Sequence, residues 1–251
     1  MRQLDIAQLW EICIHFLWDQ TLTESLDQLL HQAGSKTILD CAGGTGFPCL
    51  DLRRKGWDIT YSDGSQAMFA CFQKKLDQAG LQMPCFLADW RRLTSVVPRH
   101  FDAVFCRGNS LPYVDSWDRP LAELAMEHIQ RALEEFYQML NPGGLLYIDT
   151  AGNQEFNQTA YPASWDLGEK KIDGHTIGLQ WSTDLDYSRM IRTWSVEVVV
   201  DGQHFQFSHQ GYLLTPDELQ QRLGRVGFHD VRPTEIPGEN WYEVILCRKP
   251  A

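Results

Sequence analysis

The chain opens with apolar residues at helical spacing, Ile6, Leu9, Trp10, Cys13, Phe16 and Leu17 and then Leu26, Leu29 and Leu30, which predicts two helices between positions 5 and about 32. From position 37 the pattern changes. Thr37-Ile38-Leu39-Asp40 reads as a short buried strand, and Ala42-Gly43-Gly44-Thr45-Gly46 as a glycine-rich turn feeding a helix that carries Leu50 and Leu52 and is closed by Gly56. A second strand over 58–62 ends at Asp63 and is followed by a helix over 65–78. Cys85-Phe86-Leu87 forms a third strand ending at Ala88-Asp89-Trp90, and 101–106 a fourth ending at Arg107-Gly108-Asn109-Ser110. A long helix over 121–140 stops at Asn141-Pro142-Gly143-Gly144, and 145–149 makes a fifth strand. Repeated strand–helix units of this kind imply a mostly parallel sheet with helices on both faces.

After Thr150 the period becomes two. Segments 176–181, 190–200 and 204–213 alternate apolar and polar residues, and Asp201-Gly202 is a hairpin signal, so an antiparallel insertion is expected. A helix restarts at Thr215, with Pro216 at its first position and Glu218 completing a capping box, and strands near 230–231 and 242–247 finish the sheet.

A net charge of −11 disfavours partners that present a phosphate backbone or an anionic membrane. The seven cysteines are odd in number, dispersed and without a Cys-x-x-Cys pair, which argues against a disulfide framework or thiolate zinc site and for a reducing compartment. Asp5 and Glu11 interrupt the first apolar stretch, so neither a signal peptide nor a membrane span is expected, and the chain reads as cytoplasmic. Monomer or homodimer is the base-rate expectation.

In an open α/β sheet ligands lie outside the carboxyl ends of the strands, where the unusual residues fall. The glycine turn lets backbone approach a ligand, and Asp63 stands where a carboxylate can accept from both hydroxyls of a ribose, which points to an adenosine-type cofactor. A pyrophosphate site would use Gly-x-Gly-x-x-Gly; here Phe47-Pro48 follows, so a cofactor without phosphates is favoured over a nicotinamide dinucleotide, and no Tyr-x-x-x-Lys pair supports a reductase.

The run Ile38-Leu39-Asp40-Cys41-Ala42-Gly43-Gly44-Thr45-Gly46 resembles the first motif of class I S-adenosylmethionine-dependent methyltransferases, and the other motifs follow in that family's order over roughly residues 36–150. The resemblance implies a Rossmann-like class I methyltransferase fold of the α/β class: a mostly parallel seven-stranded sheet with an antiparallel β insertion as lid. It further implies that Asp40, Ala42 and Gly44 border the methionine part of S-adenosylmethionine, Asp63 holds the ribose, Met68 packs on adenine, and Asp89 accepts from the adenine amino group beside Trp90. Gly43, Gly64, Cys106 and Arg107 complete the expected cofactor set. The chain divides on this reading into N-terminal helices over 1–35 capping the cofactor site, a cofactor-binding core over 36–150, an acceptor-binding insertion over 151–213, and a helix and strands over 214–251 that complete the core.

Methyl transfer from a sulfonium is an in-line displacement that depends on positioning and exclusion of water. Gly108-Asn109-Ser110, Ala88-Asp89-Trp90 and Asn141-Pro142-Gly143-Gly144 resemble the same stretches in glycine and sarcosine N-methyltransferases, which implies that Asn109 faces the acceptor amine. That family carries an arginine two residues after the position of Asp149 to grip a carboxylate, where this chain has Ala151, so glycine itself is disfavoured. The layout of the later half is similar to amino-sugar N-methyltransferases. Tyr113, Trp181, Tyr187 and His209 are expected to bind the acceptor, and Asn109, His209 and Tyr212 to act on it, with His209 as base or hydrogen-bond partner. Arg189 and Arg192 either replace that missing carboxylate clamp or stand exposed as partners of Asp184 and Asp186, and exposure is the favoured reading. Arginine at 107 and asparagine at 109 leave no carboxylate cluster for a metal. A small-molecule N-methyltransferase leads this reading; a histidine-dependent O-methyltransferase and a non-catalytic S-adenosylmethionine-binding partner protein remain open beside it.

Overall fold

Asp5 starts the first helix because its carboxylate accepts the Gln8 N–H at 2.8 Å while the Gln8 carboxamide oxygen accepts the Asp5 N–H. This capping box fixes α1 (Ile6–Leu17), and Asp19 likewise caps α2 (Gln20–Ala33). The computed structural model describes residues 4–115, 121 and 125–251. The elements that follow are β1 (Thr37–Asp40), α3 (Cys49–Arg54), β2 (Asp58–Asp63), α4 (Gln66–Gln78), β3 (Cys85–Leu87), α5 (Leu93–Val96), β4 (Phe101–Cys106), α6 (Ala125–Met139), β5 (Leu140–Ala151) and α7 (Asn153–Phe156). Then come β6 (Ala163–Ile172), β7 (His175–Asp186), β8 (Ile191–Val200), β9 (Gln203–Tyr212), α8 (Pro216–Val226), β10 (His229–Pro233) and β11 (Tyr242–Arg248).

Seven strands form one sheet in the order β10-β11-β5-β4-β1-β2-β3, parallel from β3 to β5, with β11 antiparallel to β5 and β10 antiparallel to β11. Successive side chains of a strand face opposite sides. Ile38, Ile59, Phe105 and Tyr147 therefore enter an apolar cluster shared with α1, α2 and the inner face of the second sheet, whereas Leu39, Val104, Leu146 and Ile148 enter a second cluster under α6 and α8. The order reverses at β1, whose neighbours are β2 on one side and β4 on the other, and this switch point opens the ligand crevice.

The second sheet is an antiparallel meander, β6-β7-β8-β9, of one strand more than the alternation predicts. β6 escapes a period-two reading because a register shift between Asp166 and Glu169 breaks its alternation and it is an edge strand rich in exposed polar residues. Two boundaries and one cap differ. The long helix ends at Met139, because Leu140 already pairs with Phe101 and Asn141-Pro142-Gly143-Gly144 forms an irregular start to β5; the expected beginning of that helix lies largely outside the described residues. Met190 has φ 53° in the β7–β8 turn, so β8 begins one residue later than predicted. Thr215 caps α8 as expected, but the Glu218 carboxylate pairs with Arg222 at 2.8 Å along the helix, so the N-cap hydroxyl acts without the expected reciprocal bond.

Candidate active site

Backbone hydrogen bonds shape the glycine turn after β1. The Gly43 N–H donates to the Ser62 carbonyl at 3.1 Å and the Gly44 N–H to Asp63 Oδ2 at 2.8 Å, tying the turn to the end of β2. Asp63 Oδ1 accepts the Ser65 N–H at 2.8 Å, so one carboxylate organises both the turn and the start of α4. A Cβ at Gly43 would lie 2.3 Å from the Tyr61 ring, and Tyr61 stacks on Phe72 at 3.7 Å and donates its hydroxyl to the Gly44 carbonyl, so this position admits only glycine.

Above the turn lie two contiguous pockets of about 460 and 560 Å³ that share Ala42, Asp63 and Ser110. Trp10, Ile14, Trp18, Gly43, Gly44, Phe47, Met68, Arg107 and Gly108 line the first; Gly64, Ser65, Asp89, Trp90, Tyr113, Val114 and Asp115 line the second. The first helix and its C-terminal cap residue thus form one wall. Trp90 donates its indole N–H to the Cys41 carbonyl at 2.5 Å, holding the ring at the crevice, and both Asp89 oxygens are held by Arg91 at 2.9 and 2.5 Å.

Beneath the first pocket lies a buried polar cluster. Arg107, 4% exposed, sits 5.0 Å from the Trp18 ring and 3.4 Å from Glu239, which also accepts the Trp18 indole N–H at 2.7 Å. Asp149 at the end of β5 accepts the N–H groups of Gly108 at 3.0 Å and Asn109 at 2.6 Å, fixing Asn109 at φ 52°. Burial pushes the Asp40 carboxyl up to about 7, with Asp63 adding to the rise while Arg107 and the Ala42 N–H oppose it. Burial also raises Asp149 and Glu239, each in turn drawn back by Arg107. Three acids around one guanidinium leave this floor suited to a ligand that brings positive charge.

A third, smaller cavity meets the first pocket at Trp10 and Gly108 and the second at Tyr113. Its other lining residues are Asn109, Trp181, Arg192, Trp194 and Tyr242. Trp181 and Trp194 lie 4.8 Å apart, and Trp10 meets Trp194 edge-on at 5.6 Å. The Asn109 side-chain oxygen accepts the Ala151 N–H at 3.2 Å and the Thr150 hydroxyl at 3.4 Å; since an N–H must meet oxygen, the amide nitrogen is the group left to address the cavity.

Of the predicted site residues, Ala42, Gly43, Gly44, Asp63, Gly64, Met68, Asp89, Trp90 and Arg107 converge on the crevice, and Asn109, Tyr113 and Trp181 on the third cavity. Asp40 is buried below the turn, accepting the Ala42 N–H at 3.4 Å. Others sit elsewhere. Cys106 points into the α6-side apolar cluster because strand alternation places its neighbour Arg107 on the crevice side. Tyr187 is 52% exposed in the β7–β8 turn. Tyr212 is buried with its hydroxyl donating to Asp115, and His209, on the same strand, packs edge-on against Tyr113 at 6.3 Å; neither lines any of the three cavities. Arg189 is exposed as expected, but Arg192 is not: 2% exposed, it donates to Glu155 at 2.5 and 2.9 Å and to the Tyr113 hydroxyl at 2.8 Å. Burial works against its charge, but Tyr113 and Glu155 outweigh this and raise its pKa. Trp10, Trp18, Glu155, Glu239 and Tyr242 escaped the sequence reading; the tryptophans are periodic on an amphipathic helix and its end, a signal that reads as core, and the others carry no local signal.

Residues 38–144 match a family described as a methyltransferase domain. Over 136 residues the chain is 33% identical to the glycine/sarcosine N-methyltransferase of Halorhodospira halochloris, covering 53% of this chain and 47% of that protein. Over 154 residues it is 30% identical to the glycine N-methyltransferase of Rattus norvegicus, covering 58% of this chain and 51% of that one. The chain thus spans about half the length of these curated relatives. The fold extends further: DesVI of Streptomyces venezuelae superposes with a TM-score of 0.77 at 19% identity over 100% of both chains. An S-adenosylmethionine-bound amino pentose methyltransferase of Micromonospora echinaspora gives 0.72 at 16% over 99% of both. The architecture is the class I methyltransferase fold, and the segment 38–144 is similar to the methyltransferase-domain family.

Proposed function

We propose that the protein is an S-adenosylmethionine-dependent methyltransferase that methylates the nitrogen of a small molecule. The observation that carries this reading is the continuity of the crevice at the strand-order switch point, organised by Asp63, with an aromatic cavity at the end of β4. Asp63 is the ribose ligand, its carboxylate already oriented by the Gly44 and Ser65 N–H groups. Met68, Asp89 and Trp90 receive adenine; the turn 42–44 and Arg107 border the methionine part, over acids that complement its ammonium and sulfonium charges.

The third cavity is the acceptor site. Its lining contains neither a histidine nor a carboxylate among the described residues, and burial raises the Tyr113 and Tyr242 hydroxyls, so nothing there serves as a strong base. A neutral amine needs none: its lone pair attacks the methyl carbon, the sulfonium leaves as a thioether, and the resulting ammonium loses its proton to water. This favours nitrogen over oxygen as acceptor. Trp10, Trp181 and Trp194 exclude water and face the cation as it develops. The β6–β9 sheet serves as the lid of this site and residues 1–35 as the cap of the cofactor. The cysteines are all free thiols, and no helix among the described residues is long and apolar enough to cross a membrane, which suits a cytoplasmic enzyme working on a small acceptor as monomer or homodimer, without nucleic acid.

Calorimetric titration with S-adenosylmethionine, S-adenosylhomocysteine and NADH tests the reading. Both sulfur ligands bind, and Asp63→Ala weakens them by about a hundredfold or more, because it removes a charged acceptor of two ribose hydroxyls. Binding of NADH alone, or no loss in the variant, overturns it.

A further inference from the structure

Arg192 places a guanidinium in the wall of the acceptor cavity, and a positive group in a small aromatic chamber would ordinarily recruit an anionic substrate. Here that charge is already answered. Glu155, itself 7% exposed, takes Nε and Nη2 of Arg192 at 2.5 and 2.9 Å, and the Tyr113 hydroxyl takes Nη1 at 2.8 Å. A guanidinium carries five N–H groups. One on Nε and one on Nη2 go to Glu155 and one on Nη1 to Tyr113, which leaves one on Nη1 and one on Nη2 to meet a ligand.

We propose that Glu155 is the residue that sets acceptor specificity: by neutralising Arg192 it turns a carboxylate-binding site into one for an amine bearing a neutral hydrogen-bond acceptor, a hydroxyl or carbonyl. The inference rests on the third cavity being the acceptor site. A carboxylate that pairs with Arg192 must either displace Glu155 or share the guanidinium with it as a second like charge, and both are unfavourable. A hydroxyl or carbonyl oxygen accepts the remaining N–H groups without adding charge, while the Asn109 amide nitrogen offers a further donor. The pair also joins α7 to β8, elements far apart in the chain.

The test compares two amines of similar size and basicity, sarcosine and 2-(methylamino)ethanol, which differ in carrying a carboxylate or a hydroxyl. Binding is read by tryptophan fluorescence, since Trp10, Trp181 and Trp194 line the cavity, on protein with and without S-adenosylhomocysteine, and methyl transfer is read separately. The native protein favours the amino alcohol; Glu155→Gln shifts the ratio toward sarcosine by about tenfold or more, as expected when the charge that neutralises Arg192 is removed and the guanidinium is left to attract a carboxylate. Because removing one member of a buried pair can harm folding, the E155L/R192M double variant is measured too; it keeps an apolar filling and binds neither probe preferentially. An unchanged ratio in Glu155→Gln, a native preference for sarcosine, or discrimination persisting in the double variant overturns the assignment. A shifted ratio without methyl transfer to either amine supports the selectivity and counts instead against the methyltransferase reading.

Discussion

Replacing Gly43 by alanine should damage both stability and cofactor binding far more than the addition of one methyl group suggests. The new Cβ would stand 2.3 Å from two atoms of the Tyr61 ring and must retreat by about 1 Å to reach ordinary contact near 3.4 Å. Tyr61 cannot yield, because it is fully buried, lies flat on Phe72 at 3.7 Å and is anchored by its hydroxyl to the Gly44 carbonyl. The turn must move instead, stretching the Gly43 N–H bond to Ser62 and the Gly44 N–H bond to Asp63. Overpacking of this kind costs about 1–3 kcal/mol and each weakened hydrogen bond about 1 kcal/mol, so a loss of about 3–5 kcal/mol is expected by urea denaturation. Calorimetry should show S-adenosylhomocysteine affinity falling at least about tenfold, since the turn shifts into the crevice. Tyr61→Leu relieves the clash, so the double variant should be less unstable than the sum of the singles by about 1 kcal/mol or more. Gly224→Ala is the control: this helical glycine has open space around its Cβ position, and the change should stabilise by up to about 1 kcal/mol. A Gly43→Ala protein with native stability and affinity would refute the reasoning.

Asp40, raised by burial from 3.8 to about 7, holds a proton in the folded protein that it loses when unfolded, so its contribution to stability is full below about 4 and lost as pH rises to about 7. Asp40→Asn should flatten that decline, by up to about 4 kcal/mol of pH dependence seen in denaturation from pH 4 to 8. The same ionisation should appear on binding: a cationic ligand over Asp40 favours the carboxylate, so S-adenosylmethionine should release protons near pH 6–7, more than S-adenosylhomocysteine does, and calorimetry in buffers of different ionisation enthalpy would detect no such release if the acids lie elsewhere. Asp89→Ala should lower S-adenosylhomocysteine affinity by about ten- to a hundredfold yet leave binding of the inosine analogue, which lacks the adenine amino group, nearly unchanged; equal losses for both ligands would remove Asp89 from the adenine site. His209→Ala should retain kcat/KM within about threefold, and a collapse of activity without loss of stability would restore the histidine-base alternative.

The strand–turn–helix order, the crevice and most of its lining were legible along the chain because each is written locally. Glycines that need a close approach, a carboxylate at a strand end and apolar periods of two or 3.6 are properties of neighbouring residues. Where local signals competed, legibility failed. Cys106 and Arg107 are adjacent, and strand alternation sends one into the core and the other to the crevice; which goes where depends on what packs against each face of the sheet. His209 and Tyr212 looked chemically capable on the last strand of the meander, yet their side chains meet Tyr113 and Asp115 behind the cavity wall.

The sequence by itself determined the class of fold, the switch point at β1 and the Asp63-centred crevice. Tertiary structure alone decided the charge of the third cavity. Arg192 and Glu155 are 37 residues apart on different elements, and nothing near either marks it as buried or paired. An arginine in a strand of alternating polarity reads as solvent-facing, because exposed partners such as Asp184 and Asp186 are close in sequence and solvation is the cheaper state for an isolated charge. Only when the fold brings Glu155 of α7 against Arg192 of β8 does a carboxylate arrive to make burial of that charge tolerable, and with it the chemistry of what the cavity can hold.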